Sequence, residues 1–124
     1  MSTSLSRHGV ILFAHGSRDP LWHQPMQQVA ARAKALDPAA MVDCAYLELT
    51  SPDLPTCAEQ MVLQGAQAIT VVPMFLGVGK HAREDLPVLM QHLQAKHPSI
   101  RFHLQPAIGE NPQVVELLAQ IALS

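Results

Sequence analysis

The sequence predicts an α/β fold: one sheet of four parallel strands in the order 2-1-3-4, with helices on both faces. Strand-like and helix-like segments alternate four times along the 124-residue chain, which is typical of a parallel sheet covered by crossover helices. The first and third strand-like segments are almost continuously apolar, as central strands are, whereas the second and fourth are mixed. Right-handed crossovers between strands in this order place helices on both faces of the sheet.

The first half of the chain contains two strand–helix units. Residues 9–14 (GVILFA) form the first predicted strand, and residues 41–49 (MVDCAYLEL) form the second. We expect the main body of the first helix to begin at Pro25, and the second helix to run from an Asp53 cap to Gly65. Apolar residues recur at helical spacing in both: Met26, Val29, Ala30 and Ala33 in the first, and Leu54, Cys57, Ala58, Met61 and Val62 in the second.

The second half of the chain repeats the pattern. The third predicted strand is residues 68–76 (AITVVPMFL), and its pairing is expected to end near Pro73, which has no N–H to donate. The fourth is residues 100–108 (IRFHLQPAI), whose alternation suits an edge. Pro87 and Pro112 are expected near the starts of the third and fourth helices. Their apolar faces are Leu86, Leu89, Met90 and Leu93, and Val114, Leu117, Leu118, Ile121 and Ala122.

The composition predicts one globular domain spanning residues 1–124, since 48% of the chain is hydrophobic and 15% is charged. A formal net charge of -2 argues against nucleic acid or an anionic membrane as the main partner. No apolar run reaches the roughly 20 residues of a membrane helix. The N-terminal residues lack the apolar core of a secretion signal, and Cys44 and Cys57 do not form a CxxC pair. We therefore expect a cytoplasmic protein with reduced thiols.

Two histidines are the strongest candidates for chemistry. In a sheet of order 2-1-3-4 the winding reverses between the first and third strands, and ligands bind there, beyond the carboxyl ends. His15 follows the first strand, and His81 follows the third by a glycine loop, so both reach this crevice. Neutral imidazoles bind divalent metal ions; the alternative is that each histidine bonds a loop carbonyl. Glu48, at the end of the second strand, has three candidate roles: a third metal ligand, a proton acceptor or a partner for a histidine. The alternative is a solvated carboxylate at a strand end.

The loops around these histidines carry positive charge and glycine. Arg18, Lys80 and Arg83 would make the rim positive, which suits a polyanionic small molecule, unless they pair with neighbouring carboxylates. Ser17 can bond a ligand or, more simply, the loop backbone. Three glycines allow the backbone to approach a ligand closely: Gly16, Gly77 and Gly79.

Other polar and aromatic residues have weaker assignments. Trp22 lies beside the crevice, where it can form a flat wall for a ring ligand, anchor the first helix or contact another subunit. The remaining histidines after the first strand are predicted to be surface residues: His23, His92, His97 and His103.

Four segments of the chain resemble the short CbiX-type sirohydrochlorin chelatases, in the same order and at the same spacing. They are LFAHGSRDP, AYLELTSPDLP, VVPMFLGVGKHAREDLP and PAIGENPQVVELL, and the two histidine-containing segments are the most specific. The resemblance covers essentially the whole chain. It implies a chelatase or flavodoxin-like fold and the insertion of a divalent metal ion into sirohydrochlorin in cobalamin, sirohaem or related tetrapyrrole biosynthesis.

The resemblance also implies roles for individual residues. His15 and His81 would bind the metal and, with Glu48, carry catalysis. The metal is a substrate, with Co²⁺ foremost and Fe²⁺ or Ni²⁺ as further candidates, and no organic cofactor is required. Longer relatives contain two such units, so a chain with one unit implies a homodimer. The residues assigned to tetrapyrrole binding are Ser17, Arg18, Gly79, Lys80 and Arg83.

Two other classes of function fit the same sequence. A non-catalytic metal carrier on this fold would bind Co²⁺ or Ni²⁺ through the same histidines without accelerating insertion. A flavodoxin-like small-molecule or nucleotide module would bind its ligand independently of either histidine. Titrations and insertion assays on histidine variants distinguish the three.

Overall fold

Four parallel strands form the sheet in the predicted order. The computed structural model describes residues 7–124. The expectation that the N-terminal stretch lacks a secretion signal falls partly on residues 1–6, which lie outside the described residues. The strands pair in parallel in the order β2-β1-β3-β4, which confirms the predicted topology. Their bounds are β1 (His8–Ala14), β2 (Met41–Tyr46), β3 (Ala68–Pro73) and β4 (Arg101–Leu104).

Two helices begin at side-chain caps, one of which is the predicted cap Asp53. The Asp53 carboxylate accepts a hydrogen bond from the Thr56 N–H at 2.9 Å, and the Asn111 side-chain oxygen accepts one from the Gln113 N–H at 2.8 Å. Gly65 follows the second helix with φ +104°, a conformation that favours glycine. The bounds are α1 (Gln24–Leu36), α2 (Leu54–Leu63), α3 (Lys80–Lys96) and α4 (Pro112–Leu123), with 3₁₀ turns at Pro20–His23 and Ile108–Glu110.

Three strands end earlier than predicted. The second stops at Tyr46 rather than residue 49, because the Tyr46 N–H bonds the Pro52 carbonyl at 2.9 Å and Leu49 has φ +68°, which is incompatible with an extended strand. The third stops at Pro73, as its missing donor suggested, rather than at residue 76. The fourth covers only residues 101–104. Apolar residues beyond these points therefore lie in loops.

The third helix begins at Lys80, seven residues before Pro87, which corrects the prediction that its main body starts at the proline. Pro87 lacks the N–H that would bond the Arg83 carbonyl, but both residues are exposed, so water can satisfy that carbonyl. His81 is therefore in the first turn of a helix and not in the preceding glycine loop. The same correction applies to Lys80 and Arg83.

The two faces of the sheet are covered unequally. The face under α2 and α3 holds a cluster of 15 buried residues, including Phe13, Met61 and Leu86. The face under α1 holds seven, including Met26 and Ala30. No residue of α4 is buried, so this helix adds nothing to either cluster. Among the described residues, no helix has the length and apolar character needed to cross a membrane.

The two thiols are free, as expected. Cys57 is buried in the larger cluster, and this burial raises the pKa of its thiol to about 12. Cys44 is half-buried beside α1, where burial also raises the pKa of its thiol. Both cysteines pack as small apolar residues, and Cys57 in particular stays protonated at neutral pH.

We expect Asp53→Ala to lower the free energy of unfolding by about 1 kcal/mol, because the variant loses the cap of α2. The hydrogen bond to Thr56 lowers the pKa of the Asp53 carboxyl. This stabilisation is therefore complete above the ordinary Asp value of 3.8 and is lost as the pH falls through the lower folded-state pKa. Urea unfolding at neutral and acid pH measures both effects.

The control is Asp53→Asn, which keeps a capping oxygen but cannot titrate. The Asp53→Asn protein should retain most of the unfolding free energy at neutral pH. Acidification should cause no further loss at residue 53, because the amide does not titrate. An Asp53→Ala protein as stable as the wild type at neutral pH would contradict the capping role.

Candidate functional site

His15 and His81 lie on one cavity of about 300 Å³ at the carboxyl end of the sheet. His15 directly follows β1, and His81 is the second residue of α3. Both side chains are exposed, so solvent and ligands can reach the imidazoles. The fold thus brings together two histidines that are far apart in sequence. In the part of the chain that the structure describes, neither imidazole hydrogen-bonds to a loop carbonyl, the structural alternative considered for them.

The cavity has an apolar, well-packed floor. The Phe75 ring centroid lies 4.7 Å from the His15 ring centroid, with 42° between the planes. Phe75 in turn meets the buried Phe13 edge-on at 6.2 Å. Leu86 and Leu89 of α3 complete the floor. The His15 ring is therefore supported on one side by a packed aromatic pair.

The opposite edge of the cavity is polar and contains the start of α3. Gly79, Lys80 and Asp85 line it beside His81. The first intrahelical bond runs from the Arg83 N–H to the Gly79 carbonyl at 3.0 Å, so the earlier N–H groups of the helix have no intrahelical acceptor. These groups and Lys80 supply positive charge beside the Asp85 carboxylate. Asp85 was not predicted as a site residue, although its position four residues after His81 places it on the same helix face.

Three residues assigned to tetrapyrrole binding do not line this cavity. The Ser17 hydroxyl accepts a hydrogen bond from the Asp19 N–H at 3.0 Å, so it serves the loop backbone. Arg18 and Arg83 are exposed outside the cavity. Within residues 7–124 neither arginine, nor Lys80, forms an ion pair; the pair found there is Lys96 with Glu59 at 3.2 Å. The carboxylate pairing considered for the three cations is therefore not found in the described chain.

Glu48 lies in the loop after β2 and lines a neighbouring cleft of about 710 Å³, not the histidine cavity. Its backbone nevertheless touches the His15 loop, because a Cβ on Gly16 would overlap the Glu48 carbonyl oxygen. The absence of a side chain at Gly16 therefore lets the two loops pack together. Across the described residues, no three His, Cys, Asp or Glu side chains are grouped closely enough to hold a metal ion.

Exposed apolar side chains surround the carboxyl end of the sheet. A second cavity, of about 340 Å³, lies between His15, Trp22 and Met26. Three of the exposed side chains, Leu47, Leu49 and Leu76, were not predicted here, because their segments were assigned to strands. We call the group the apolar rim, and its members are Leu21, Trp22, Leu47, Leu49 and Leu76.

His23 is not the surface residue that the sequence predicted. It is half-buried, its Nε2–H donates to the Ser17 carbonyl at 2.8 Å, and its ring lies 4.8 Å from the Tyr46 ring. Burial raises the pKa of Tyr46 to about 12, so its hydroxyl stays neutral. No local sequence signal marks these contacts. His97 is also half-buried, against Phe102, whereas His92 and His103 are exposed as predicted.

Comparison with known proteins connects this chain to a family. The CbiX family model matches residues 9–123. The chain is 30% identical to the sirohydrochlorin ferrochelatase of Bacillus subtilis (strain 168), over 89% of this chain and 42% of that protein. It is 31% identical to the sirohydrochlorin cobaltochelatase of Methanocaldococcus jannaschii, over 71% of this chain and 62% of that protein. The chain thus spans less than two thirds of the length of either relative.

A solved structure agrees along the whole fold. The crystal structure of a CbiX protein from Marinobacter aquaeolei VT8, named for cobalamin (vitamin B12) biosynthesis, superposes with a TM-score of 0.80. The two chains are 33% identical, and the match covers 93% of each. Because the family model spans nearly all of the described residues and this fold superposes on them, the chain belongs to the CbiX family.

Proposed function

We propose that this chain is a sirohydrochlorin chelatase, which inserts a divalent metal ion into the tetrapyrrole in cobalamin, sirohaem or related biosynthesis. The observation that carries the proposal is that His15 and His81 share one cavity with an apolar floor and the start of α3 at its edge. The names of the relatives support sirohydrochlorin as the substrate and both cobalt and iron as metals. We rank Co²⁺ first, with Fe²⁺ and Ni²⁺ as further candidates, and assign no organic cofactor.

The proposed role of the two histidines is to deliver the metal. Two neutral imidazoles hold a divalent ion while its other coordination positions stay open to water and then to pyrrole nitrogen. The ion enters the ring as two pyrrole N–H protons leave, so the charge of the macrocycle is conserved. Each of the two protons passes to a histidine that has released the metal, to Glu48 in the adjoining loop or to solvent.

The proposed tetrapyrrole site uses the start of α3 for the carboxylates and the apolar rim for the ring. Lys80 and the free N–H groups of α3 receive carboxylates directly, and the exposed Arg18 and Arg83 attract them from outside the cavity. Gly77 and Gly79 leave that side open, because a Cβ at either position would have no atom within 4 Å.

The size of the cavity supports a homodimer. A volume of about 300 Å³ is at the lower limit of ordinary ligand pockets, so it suits the metal and one edge of a macrocycle better than a whole tetrapyrrole. We propose that residues 1–124 act as one chelatase unit and that a second copy provides the opposite wall. The two free thiols support a cytoplasmic location.

His15→Ala and His81→Ala should each reduce metal insertion at least 100-fold, because each removes one of the two metal ligands. Anaerobic absorbance of sirohydrochlorin with Co²⁺, Fe²⁺ or Ni²⁺, corrected for spontaneous insertion, gives the rate. His92→Ala, on the exposed side of α3, is the matched control and should keep wild-type turnover. Near-normal rates in both site variants would refute the assignment.

The same assay tests the metal-carrier alternative. A wild-type protein that binds Co²⁺ through these histidines but does not accelerate insertion would be a carrier. Binding of a small molecule that is unchanged in both variants would favour the flavodoxin-like module.

Two glycine variants should separate the fold from substrate binding. Gly79 has φ -66° and ψ 166°, which any residue adopts, so Gly79→Ala should keep the wild-type unfolding free energy. Its methyl group would extend into the open space beside the cavity and should raise the KM for the tetrapyrrole several-fold. Gly16→Ala should lower stability by about 1–3 kcal/mol, because its Cβ would overlap the Glu48 carbonyl. Thermal unfolding and steady-state kinetics measure these effects, and equal stability of the two variants would contradict the loop contact.

Glu48→Gln tests the proton-acceptor role. It should lower kcat several-fold while leaving Co²⁺ affinity unchanged, because Glu48 lies outside the histidine cavity. Calorimetric Co²⁺ titration and the insertion rate provide the two readouts. A loss of Co²⁺ affinity equal to that in His15→Ala would instead make Glu48 a metal ligand.

A further inference from the structure

His15 lines two cavities of different character. One is the histidine cavity that it shares with His81, which also contains Lys80 and Asp85. The other, of about 340 Å³, is lined elsewhere by apolar residues of the described chain: Ala14, Leu21, Trp22, Pro25, Met26 and Met74. We call it the Trp22 cavity. His15 therefore borders one cavity that contains charged groups and one that is apolar.

The two cavities lie on opposite faces of the sheet. Phe13 and Leu86 line the histidine cavity and belong to the cluster under α2 and α3. Ala14 lines the Trp22 cavity and belongs to the smaller cluster, under α1. Successive side chains of a strand point to opposite faces, so Phe13 and Ala14 lead to different cavities at the end of β1. His15 comes next, at the edge of the sheet, where a ligand lying across it reaches both cavities.

The turn that carries Trp22 is fixed by its own hydrogen bonds. We call residues 17–23 the Trp22 turn, and they include the 3₁₀ turn Pro20–His23. The Asp19 carboxylate accepts a hydrogen bond from the Leu21 N–H at 3.0 Å, and the Asp19 carbonyl accepts one from the Trp22 N–H at 3.0 Å. The backbone that presents both apolar side chains is therefore ordered before any ligand binds.

The Trp22 indole is also held in place while it remains accessible. Its centroid lies 5.4 Å from that of the His23 ring, with 88° between the planes. His23 is itself fixed by its hydrogen bond to the Ser17 carbonyl and by its contact with the Tyr46 ring. Trp22 is nevertheless 42% exposed, and Leu21 beside it is 68% exposed. An aromatic side chain held in this way loses little conformational entropy when it contacts a ligand.

Trp22 is not needed to anchor the first helix, one of the roles considered for it. Met26 and Ala30 anchor α1, since both are buried in the cluster between this helix and the sheet. A side chain that stabilised the helix by packing would be buried in the same way, whereas nearly half of Trp22 faces solvent. The wall for a ring ligand and the subunit contact remain as the other two roles.

We propose that Trp22 binds the flat face of the tetrapyrrole, so that the macrocycle and the metal reach His15 from opposite faces of the sheet. The inference rests on the proposed chelatase function and adds a substrate-binding residue to it. The metal occupies the histidine cavity, held by His15 and His81, while the macrocycle lies across His15 with part of its face on the Trp22 indole. Offset stacking of two flat π systems favours this arrangement. His15 is then the residue at which the metal passes to the ring.

The charges around the Trp22 cavity agree with this orientation of the ring. An apolar cavity cannot receive carboxylates without a large desolvation cost, but it can receive the face of the macrocycle. Arg18 is exposed in the Trp22 turn, and Lys80 lies on the other side of His15 at the start of α3. Carboxylates at the periphery of a ring placed over His15 can therefore extend to a cation on either side.

Binding and turnover of sirohydrochlorin by Trp22 variants test the inference. Trp22→Ala should raise the Kd of metal-free sirohydrochlorin, and its KM with Co²⁺, about 10-fold, because the stacked aromatic surface is lost. Its kcat and its Co²⁺ affinity should stay within about twofold of the wild type, since the metal is bound on the other face of the sheet. Trp22→Phe keeps an aromatic face and should restore most of the affinity for sirohydrochlorin.

Leu63→Ala is the matched control, because it removes a large exposed apolar side chain at the end of α2, near the amino ends of the strands. This variant should have the wild-type Kd and KM for sirohydrochlorin. Anaerobic calorimetry and absorbance assays give the constants, and circular dichroism verifies that each variant is folded.

The outcomes separate this inference from the chelatase function. An active wild type whose Trp22→Ala variant keeps Kd and KM within about twofold would overturn the inference and leave the chelatase function intact. An equal loss of Co²⁺ affinity would also overturn it, because Trp22 would then support the metal site. A lower oligomeric mass of Trp22→Ala in light scattering would instead assign Trp22 to a subunit contact. A wild type that neither binds nor metallates sirohydrochlorin would overturn both.

Discussion

The parallel pairing of β1 with β3 determines where everything else in the site lies. Phe13 is in register with Pro73, and the Met74 N–H still donates to the Phe13 carbonyl at 2.7 Å. Directly beyond this bond the two chains diverge, one to His15 and the other through a glycine loop to His81. Since the strands run side by side up to that point, the two histidines must enter the same space. The cavity is therefore a direct result of strand order.

Close backbone contacts hold the loops around this space in position. Gly16 packs on the Glu48 carbonyl, and a Cβ on Gly109 would overlap the backbone of Leu76. The Gly109 N–H also donates to the Phe75 carbonyl at 3.0 Å, so the turn before α4 supports the loop that carries Phe75. Phe75 in turn supports the His15 ring. Both glycines are required for these approaches, because a Cβ at either position would overlap backbone atoms of the neighbouring loop.

The sequence was sufficient for the topology and for the shared position of His15 and His81, because hydrophobic spacing and strand order depend on local patterns. It was insufficient for the positions of Glu48 and the apolar rim. Leu47, Glu48 and Leu49 lie in a segment that reads as a strand but bends away where the Tyr46 N–H bonds to the Pro52 carbonyl. The start of α3 was misplaced because an exposed helix tolerates Pro87. The contacts of His23 were not predictable, since they join residues from three separate segments.

Pro87 interrupts the hydrogen bonding within α3. The bond it lacks would have joined the helix at Arg83, so the first turn, with Lys80 and His81, is coupled less tightly to the remainder, which Leu86 and Leu93 anchor in the core. The first turn can therefore tilt relative to the rest of the helix. Small tilts of its free end change the span between the imidazoles while the sheet remains fixed. At the proposed metal site, such tilts would accommodate ions of different radius without cost to the packed core.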